Sequence, residues 1–237
     1  MELWNRFDRI VVFDTETTGI DFEKNRIIEL GAVSLENGVE RDCMDALIRL
    51  PEGETLPPEI VSLTGITDVQ LLAEGVSQQA AVQDFCRLFD GAEKPLIVAY
   101  NAQFDLNFMS GYLKSSELSG DLRKRLLEVL KTSRFLDALT VYKDRRDYPH
   151  KLCNAIDAYR LGDRVVNSHR AVDDARAAVA LMEAMAAERD DLCRYLDLFG
   201  HHPKYGISGR KIGSVTYRPQ GYQRIQPLYQ WGGAAVK

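Results

Sequence analysis

The segment that most constrains the fold is a short apolar run that ends in two acidic residues. Residues 10–13 are isoleucine, valine, valine and phenylalanine, and Asp14 and Glu16 follow with one residue between them. Runs of β-branched and aromatic residues bounded by a turn signal are typical of a buried strand. Side chains two positions apart in a strand point to the same face, so we expect both carboxylates to project together at the strand end.

Two explanations fit this acidic pair on its own. Like charges at this spacing repel each other, and a divalent cation held by oxygen ligands relieves that repulsion. Alternatively, the two residues simply end a strand and begin a turn, as aspartate often does. The rest of the chain has to decide between a metal site and a turn.

Composition places the chain among ordinary globular proteins. It has 237 residues, of which 45% are apolar and 27% are charged, which suits one large domain with a substantial core. No apolar run is long enough to span a bilayer, and residues 1–6 lack a secretory pattern. The four cysteines lie far apart, without the spacing of a zinc or redox site, so we expect a reduced, cytoplasmic protein with no membrane association.

Charge divides the chain into two parts. Six basic residues and no acidic residue follow Gly200, whereas residues 1–200 carry 24 basic and 35 acidic residues, a net charge of −11. We therefore expect a main domain at residues 1–192 and a basic, aromatic-containing extension at residues 193–237. The acidic domain suits an enzyme whose carboxylates are neutralised by bound metal. The extension could contact single-stranded nucleic acid by charge and stacking, or pack across the domain.

Strands and helices alternate in an order that predicts an α/β fold. The turn signal Glu36-Asn37-Gly38 lies between two apolar runs and indicates a hairpin. The expected strands are residues 10–14, 25–35, 40–50, 96–101 and a short strand within 134–139 that ends near Asp137. The first three are expected to form an antiparallel meander. The expected helices include residues 76–89, 102–109, 151–161 and a long alanine-rich helix that ends near residue 188. Residues 121–131 are expected to form an amphipathic, basic helix or a loop.

Two further segments place acidic residues near the start of a helix. Asn101 and Asp105 are four residues apart and can face the same way. His169 precedes the alanine-rich helix, whose early turns contain Asp174. Taken alone, Asp105 could be a helix-dipole aspartate and His169 a structural or solvated histidine. Glu29 is another candidate ligand, although a glutamate paired locally at a strand end explains it better.

Together, the three segments indicate one chemistry. Four carboxylates that converge on one point repel each other, and a pair of metal ions about 3.5–4 Å apart relieves this repulsion. Such a pair of ions serves phosphoryl transfer, and a nearby neutral imidazole can take the proton of the attacking water.

The motifs Asp14-x-Glu16, Asn101-x-x-x-Asp105 and His169-x-x-x-x-Asp174 occur in an order that resembles the DEDDh 3′→5′ exonucleases. The resemblance covers about residues 8–190, and it is strongest to the epsilon proofreading subunits of bacterial DNA polymerase III. It implies an RNase H-like fold with a mixed five-stranded sheet flanked by helices. It also implies two Mg²⁺ ions, replaceable by Mn²⁺, with His169 as general base and with four ligands: Asp14, Glu16, Asp105 and Asp174.

The resemblance also implies contacts with the terminal nucleotide. Thr17 and Thr18 are expected to lie against it, with Asn101 in the second motif nearby. Ile66, in a loop that we expect to be exposed, and Phe104 are expected to sandwich its base, although core packing would also explain both residues. The family usually has histidine where this chain has Tyr100, and we expect that strand position not to be a ligand.

Three functions remain open at this point. The first is an exonuclease that proofreads or repairs DNA by releasing nucleoside 5′-monophosphates from single-stranded or mispaired 3′ ends. The second is an enzyme that trims RNA or degrades oligoribonucleotides, and the third is a non-catalytic module bound to a DNA polymerase or sliding clamp. Residues 195–199 resemble a short clamp-binding segment but lack its leading glutamine, and a leucine and phenylalanine stripe is more typical of a core.

Overall fold

A mixed five-stranded sheet forms the centre of the computed structural model, which describes residues 1–166, 168–202 and 206–207. The strands are β1 (Arg9–Thr17), β2 (Ile27–Glu36), β3 (Val39–Leu47), β4 (Pro95–Ala99) and β5 (Arg134–Asp137). Their order in the sheet is β3-β2-β1-β4-β5. The first three strands pair antiparallel, and β4 is parallel to both β1 and β5. The predicted α/β fold with a mixed five-stranded sheet is confirmed.

Helices precede, connect and follow these strands. They are α1 (Glu2–Arg6), α2 (Pro58–Thr64), α3 (Asp68–Glu74), α4 (Gln78–Arg87), α5 (Ala102–Tyr112), α6 (Gly120–Thr132), α7 (Ala138–Arg145), α8 (Leu152–Ala158) and α9 (Ala171–Glu188). A 3₁₀ turn at Leu192–Tyr195 and a two-stranded pair, β6 (His201–His202) and β7 (Gly206–Ile207), follow α9. The sequence predicted that the fifth strand ends near Asp137, and β5 confirms this, but it did not predict α7.

Alternate residues of β1 face two separate cores. Ile10 and Val12 pack in one core with apolar residues of α7, α8 and α9. Val11 and Phe13 pack in the other core with apolar residues of α4, α5 and α6. Side chains of a strand alternate between its two faces, and a sheet covered on both faces needs apolar residues at consecutive positions. The two cores therefore explain the unbroken apolar run that precedes Asp14.

The segment that resembles a clamp-binding motif is part of the folded body. Tyr195 and Phe199 are fully buried. The backbone N–H of Asp197 donates to the carbonyl of Phe135 at 2.8 Å, and the Asp197 carboxylate accepts the Phe135 N–H at 3.0 Å. The structure therefore favours core packing over clamp binding for this segment. The domain boundary at residue 192 stays a prediction, and most of the basic extension lies outside the described residues.

Within the residues that the structure describes, no helix combines the length and the apolar character that a membrane span requires.

Candidate active site

The end of β1 supplies the first two predicted ligands. Asp14 and Glu16 are both partly buried. In the antiparallel pairing with β2, Asp14 lies opposite Gly31 and Glu16 lies opposite Glu29. Asp14 and Glu16 thus lie on the same face of the sheet, near the C-terminal end of β1, as the spacing predicted.

The start of α5 supplies the third carboxylate. Asp105 is 2% exposed, and it accepts a hydrogen bond of 2.7 Å from the Thr15 hydroxyl. The chain enters α5 through Asn101, whose left-handed φ is 73°. The N–H groups of Asn101 and Ala102 both donate to one oxygen of Asp137 at 3.1 Å. Asp137, at the end of β5, therefore fixes where α5 begins.

The start of α9 supplies the last two residues. Asp174 is buried, His169 is exposed, and His169 has a left-handed φ of 54°. One side-chain nitrogen of His169 and one carboxylate oxygen each of Glu16 and Asp174 all lie within 4.8 Å of one another. The structure thus joins the first and third motifs in one cluster.

Burial and mutual repulsion act on all the carboxylates of β1 and α5 in this region. Burial, with the charges of Asp105 and Glu16, raises the pKa of Asp14 well above its ordinary value. Burial and the charge of Asp174 raise the pKa of Glu16 to about 8. Burial raises the pKa of Asp105 to about 7, although hydrogen bonds to its carboxylate oppose this rise. The carboxylate of Asp105 in the second motif is therefore close enough to raise the pKa values of Asp14 and Glu16 in the first motif.

This donor set fits hard divalent cations. Carboxylate oxygens are the ligands that Mg²⁺ and Mn²⁺ prefer, and an imidazole nitrogen at the edge of the cluster is compatible with both ions. A bound cation would also offset the repulsion that raises these pKa values. The residues that would hold it are those predicted from the sequence: Asp14, Glu16, Asp105 and Asp174.

The predicted substrate residues divide into two groups. The Thr17 hydroxyl donates to the Gly19 carbonyl at 2.7 Å, and the Thr18 hydroxyl accepts the Arg26 N–H at 3.0 Å, so both close the loop after β1. The side chain of Asn101 is exposed and makes no helix-capping bond. Their contacts with a substrate stay predictions.

The two predicted base contacts differ in exposure. Phe104 is half-buried, and its ring centroid lies 5.0 Å from that of Phe108. The expectation that Ile66 is exposed is wrong, because its side chain is 2% exposed and packs with Ile28 and Leu71. Contact between Ile66 and a base stays a prediction that would require this side chain to become uncovered.

Two neighbours of the motifs lie away from the cluster. Tyr100 donates its hydroxyl to the carbonyl of His150 at 2.7 Å, so its side chain is bound to the segment before α8. Asp173 is half-buried and accepts the Ser168 hydroxyl at 2.7 Å. Asp174, rather than Asp173, therefore lies in the cluster with His169 and Glu16.

Sequence reasoning missed the residues that hold the carboxylates in place. A Cβ atom on Gly31 would lie 2.2 Å from the backbone nitrogen of Val172, so only glycine lets α9 pack this close to β2. Thr15 and Asp137 bind the second motif through the hydrogen bonds described above. The signals were a glycine inside an apolar strand and an aspartate at a strand end, and neither reveals its partner in sequence.

Comparison with known proteins identifies the family of the chain. A family model described as Exonuclease matches residues 11–182, which is more than half of the chain. The chain belongs to the exonuclease family. The matched region contains all three motifs and extends from β1 into α9.

Curated relatives of the chain include an epsilon subunit of DNA polymerase III and several PolC-type DNA polymerases III. The DNA polymerase III subunit epsilon of Treponema pallidum is 32% identical over 175 residues, which cover 74% of this chain and 75% of the relative. The PolC-type DNA polymerase III of Halalkalibacterium halodurans is 34% identical over 186 residues, or 77% of this chain. That match spans only 12% of the polymerase.

Solved structures with a similar fold include two exonucleases bound to DNA. E. coli exonuclease I in complex with a dA16 oligonucleotide matches with a TM-score of 0.65 at 18% identity, covering 79% of this chain and 42% of that one. Exonuclease X in complex with 5′ overhanging duplex DNA matches with a TM-score of 0.53 at 19% identity, covering 77% and 92%. At these identities the likeness establishes the fold.

Proposed function

We propose that this chain is a divalent-metal-dependent 3′→5′ exonuclease that removes nucleotides from single-stranded or mispaired 3′ ends of DNA. The observation that carries the proposal is the cluster of Glu16, His169 and Asp174, whose ligand atoms lie within 4.8 Å of one another. The charges of Asp14 and Asp105 interact with the same cluster. Membership of the exonuclease family supports this reading of the carboxylates.

The roles of the residues follow from their burial and charge. Asp14, Glu16, Asp105 and Asp174 would hold two Mg²⁺ ions, which when bound stabilise charge on the attacking and leaving oxygens. His169 is exposed, so a water molecule that enters with the substrate can reach its ring. A neutral imidazole there would take the proton of that water, and cleavage would release a nucleoside 5′-monophosphate.

DNA is the proposed substrate because the relatives are named for DNA polymerase III and the structural neighbours were solved with DNA bound. Two of the relatives are named as parts of DNA polymerase III, and the exonuclease I and exonuclease X structures contain DNA. A proofreading or repair role, and association with a DNA polymerase, follow as parts of the same proposal. Only the 2′-hydroxyl separates RNA from DNA at such a site, so RNA is the necessary comparison substrate.

The test is digestion of 5′-labelled oligonucleotides by the wild-type chain and by Asp14→Ala. The substrates are single-stranded DNA, matched duplex, 3′-mismatched duplex and RNA of the same sequence, each with Mg²⁺, Mn²⁺ or a chelator. We expect stepwise shortening from the 3′ end of DNA that requires metal, and loss of this activity in Asp14→Ala.

Asp121→Ala is the control, because the Asp121 side chain is 98% exposed on α6. Its activity should equal that of the wild type. Unchanged metal-dependent trimming by Asp14→Ala would disprove the assignment of the site, and faster trimming of RNA than of DNA would overturn the proposed substrate.

A further inference from the structure

Glu29 is a buried carboxylate beside the proposed metal ligands, but its hydrogen bonds are to Arg170 and Ala171. It is fully buried in β2, and its backbone lies directly opposite that of Glu16. Directly opposite residues of an antiparallel pair project from the same face, with their side chains in contact range. Glu29 is therefore placed where a fifth metal ligand could lie.

Both carboxylate oxygens of Glu29 are engaged by Arg170, which follows His169, and by Ala171, the first residue of α9. One oxygen accepts the Arg170 Nε at 2.7 Å, and the Arg170 Nη2 lies 2.5 Å from the same oxygen. The other oxygen accepts the backbone N–H of Ala171 at 2.8 Å. A single side chain of the sheet thus binds two consecutive residues that directly follow His169.

These bonds compensate for a helix that lacks a cap of its own. The N-cap position of α9 is Arg170, whose side chain makes no capping bond. The first N–H groups of a helix have no partner within the helix, and negative charge near them is stabilising. Glu29 supplies both the acceptor and the charge from the neighbouring strand.

Arg170 also offsets the repulsion between the neighbouring carboxylates of Glu29 and Glu16. The charge of Glu29 raises the pKa of Glu16, and the charge of Arg170 lowers it. Like charges that face each other across a strand pair are destabilising unless one of them is compensated. The pairing of Arg170 with Glu29 compensates one charge and leaves the Glu16 carboxylate free to face His169 and Asp174.

We propose that Glu29 and Arg170 are a pair of positioning residues that hold His169 against Glu16, and that Glu29 is not a metal ligand. His169 depends on such an anchor because it is exposed and adopts a left-handed backbone conformation. The activity part of this inference rests on the proposed function, whereas the anchoring contact can be measured without any activity.

The first experiment measures single-turnover cleavage by Glu29→Gln, Arg170→Ala and Arg170→Lys, well below the melting temperature of each variant. We expect a rate loss of about 10–100-fold for Glu29→Gln and Arg170→Ala, the usual effect of removing a residue that orients another. The KM for the oligonucleotide should stay unchanged, and Arg170→Lys should recover part of the rate.

The second experiment combines Glu29→Gln with His169→Ala. If Glu29 acts through His169, the double variant should be no slower than His169→Ala by more than about twofold, because the two residues form one unit. A further large loss in the double variant would show that Glu29 acts on the reaction directly, and would overturn the proposal.

Glu40→Gln is the matched control. Glu40 of β3 also pairs with an arginine of α9, since its Oε1 lies 2.9 Å from the Nη2 of Arg176, but this pair is exposed and lies further along the helix. Its loss should leave the cleavage rate at the wild-type value. An equal rate loss in Glu40→Gln would mean that any sheet-to-helix pair matters, and would count against a specific role of Glu29.

Amide hydrogen exchange tests the anchor without cleavage. Exchange at Ala171 and the following turn of α9 should be faster in Glu29→Gln and Arg170→Ala than in the wild type, and unchanged in Glu40→Gln. Unaltered exchange in both variants would disprove the anchoring. If the wild type cleaves no substrate, the proposed function fails while this measurement still decides the contact.

Discussion

His169 differs from the other members of its cluster because it is exposed, whereas Asp174 is buried and Glu16 is partly buried. An exposed imidazole can exchange protons with solvent and can meet a water molecule that arrives with the substrate. The buried carboxylates are better suited to holding cations. The difference in burial therefore assigns proton transfer to His169 and metal binding to its neighbours in the proposed mechanism.

His169→Ala should slow the chemical step while leaving substrate binding intact. General-base catalysis typically contributes about 10²–10⁴-fold, so we expect a loss of this size in the single-turnover rate at saturating Mg²⁺. His150→Ala is the control, because the His150 ring is bonded to the Arg146 carbonyl rather than to the cluster. Equal rates for wild type and His169→Ala would exclude the proposed role.

At the scale of elements, the contact between β2 and α9 sets the position of the third motif. Gly31 lies opposite Asp14, and its missing side chain makes room for the backbone of Ala171 and Val172. Gly31→Ala would place a Cβ atom 2.2 Å from the Val172 nitrogen, so α9 has to shift. We expect a destabilisation of about 1–3 kcal/mol and a slower single-turnover rate, measured by thermal unfolding and by cleavage.

Gly111→Ala is the matched control for this substitution. Gly111 lies within α5, and a Cβ atom there would meet nothing within 4 Å. Alanine is favoured over glycine in a helix by about 1 kcal/mol, so this variant should be as stable as the wild type or more stable. Wild-type stability and rate in Gly31→Ala would show that the close approach does not position α9.

The elements that carry the carboxylates could be predicted from sequence, because their signals are local. The spacing of Asp14 and Glu16 follows from the period of a strand, and Asp105 and Asp174 lie in the first turns of helices that the apolar pattern reveals. The elements that hold these carboxylates depend on distant partners. The sequence placed Asp137 near the end of a strand, as it is in β5, but it did not reveal that the Asp137 carboxylate accepts the backbone N–H of Asn101 at the start of α5.

The burial of Ile66 also depends on partners that its local sequence does not reveal. The sequence Leu-Thr-Gly-Ile-Thr around it indicates a loop between two helices, and a loop residue is usually exposed. In the fold, Ile66 packs against Ile28 of β2 and Leu71 of α3. The sequence did not predict α3, so the partner that covers Ile66 was missing from the prediction.

At the scale of the whole molecule, the site concentrates negative charge in a chain that is already acidic. Residues 1–200 carry 24 basic and 35 acidic residues. A nucleic acid 3′ end is also negatively charged. Without cations, the carboxylates of the site therefore repel each other and also repel the phosphates of the substrate. Bound metal ions would therefore stabilise the folded protein and also allow the substrate to bind. These two effects can be measured separately.

Thermal unfolding without substrate measures the first effect. Adding Mg²⁺ or Mn²⁺ at about 100 times its dissociation constant should stabilise the wild type by about 2.7 kcal/mol for each site, which is about 5–10 °C in a protein of this size. Asp14→Asn removes one of the repelling charges, so it should melt at a higher temperature than the wild type in chelator. The same variant should gain less from added metal, because it has lost a ligand. A wild type whose melting temperature does not respond to either metal would show that the carboxylates do not form a cation site, whatever the motifs suggest.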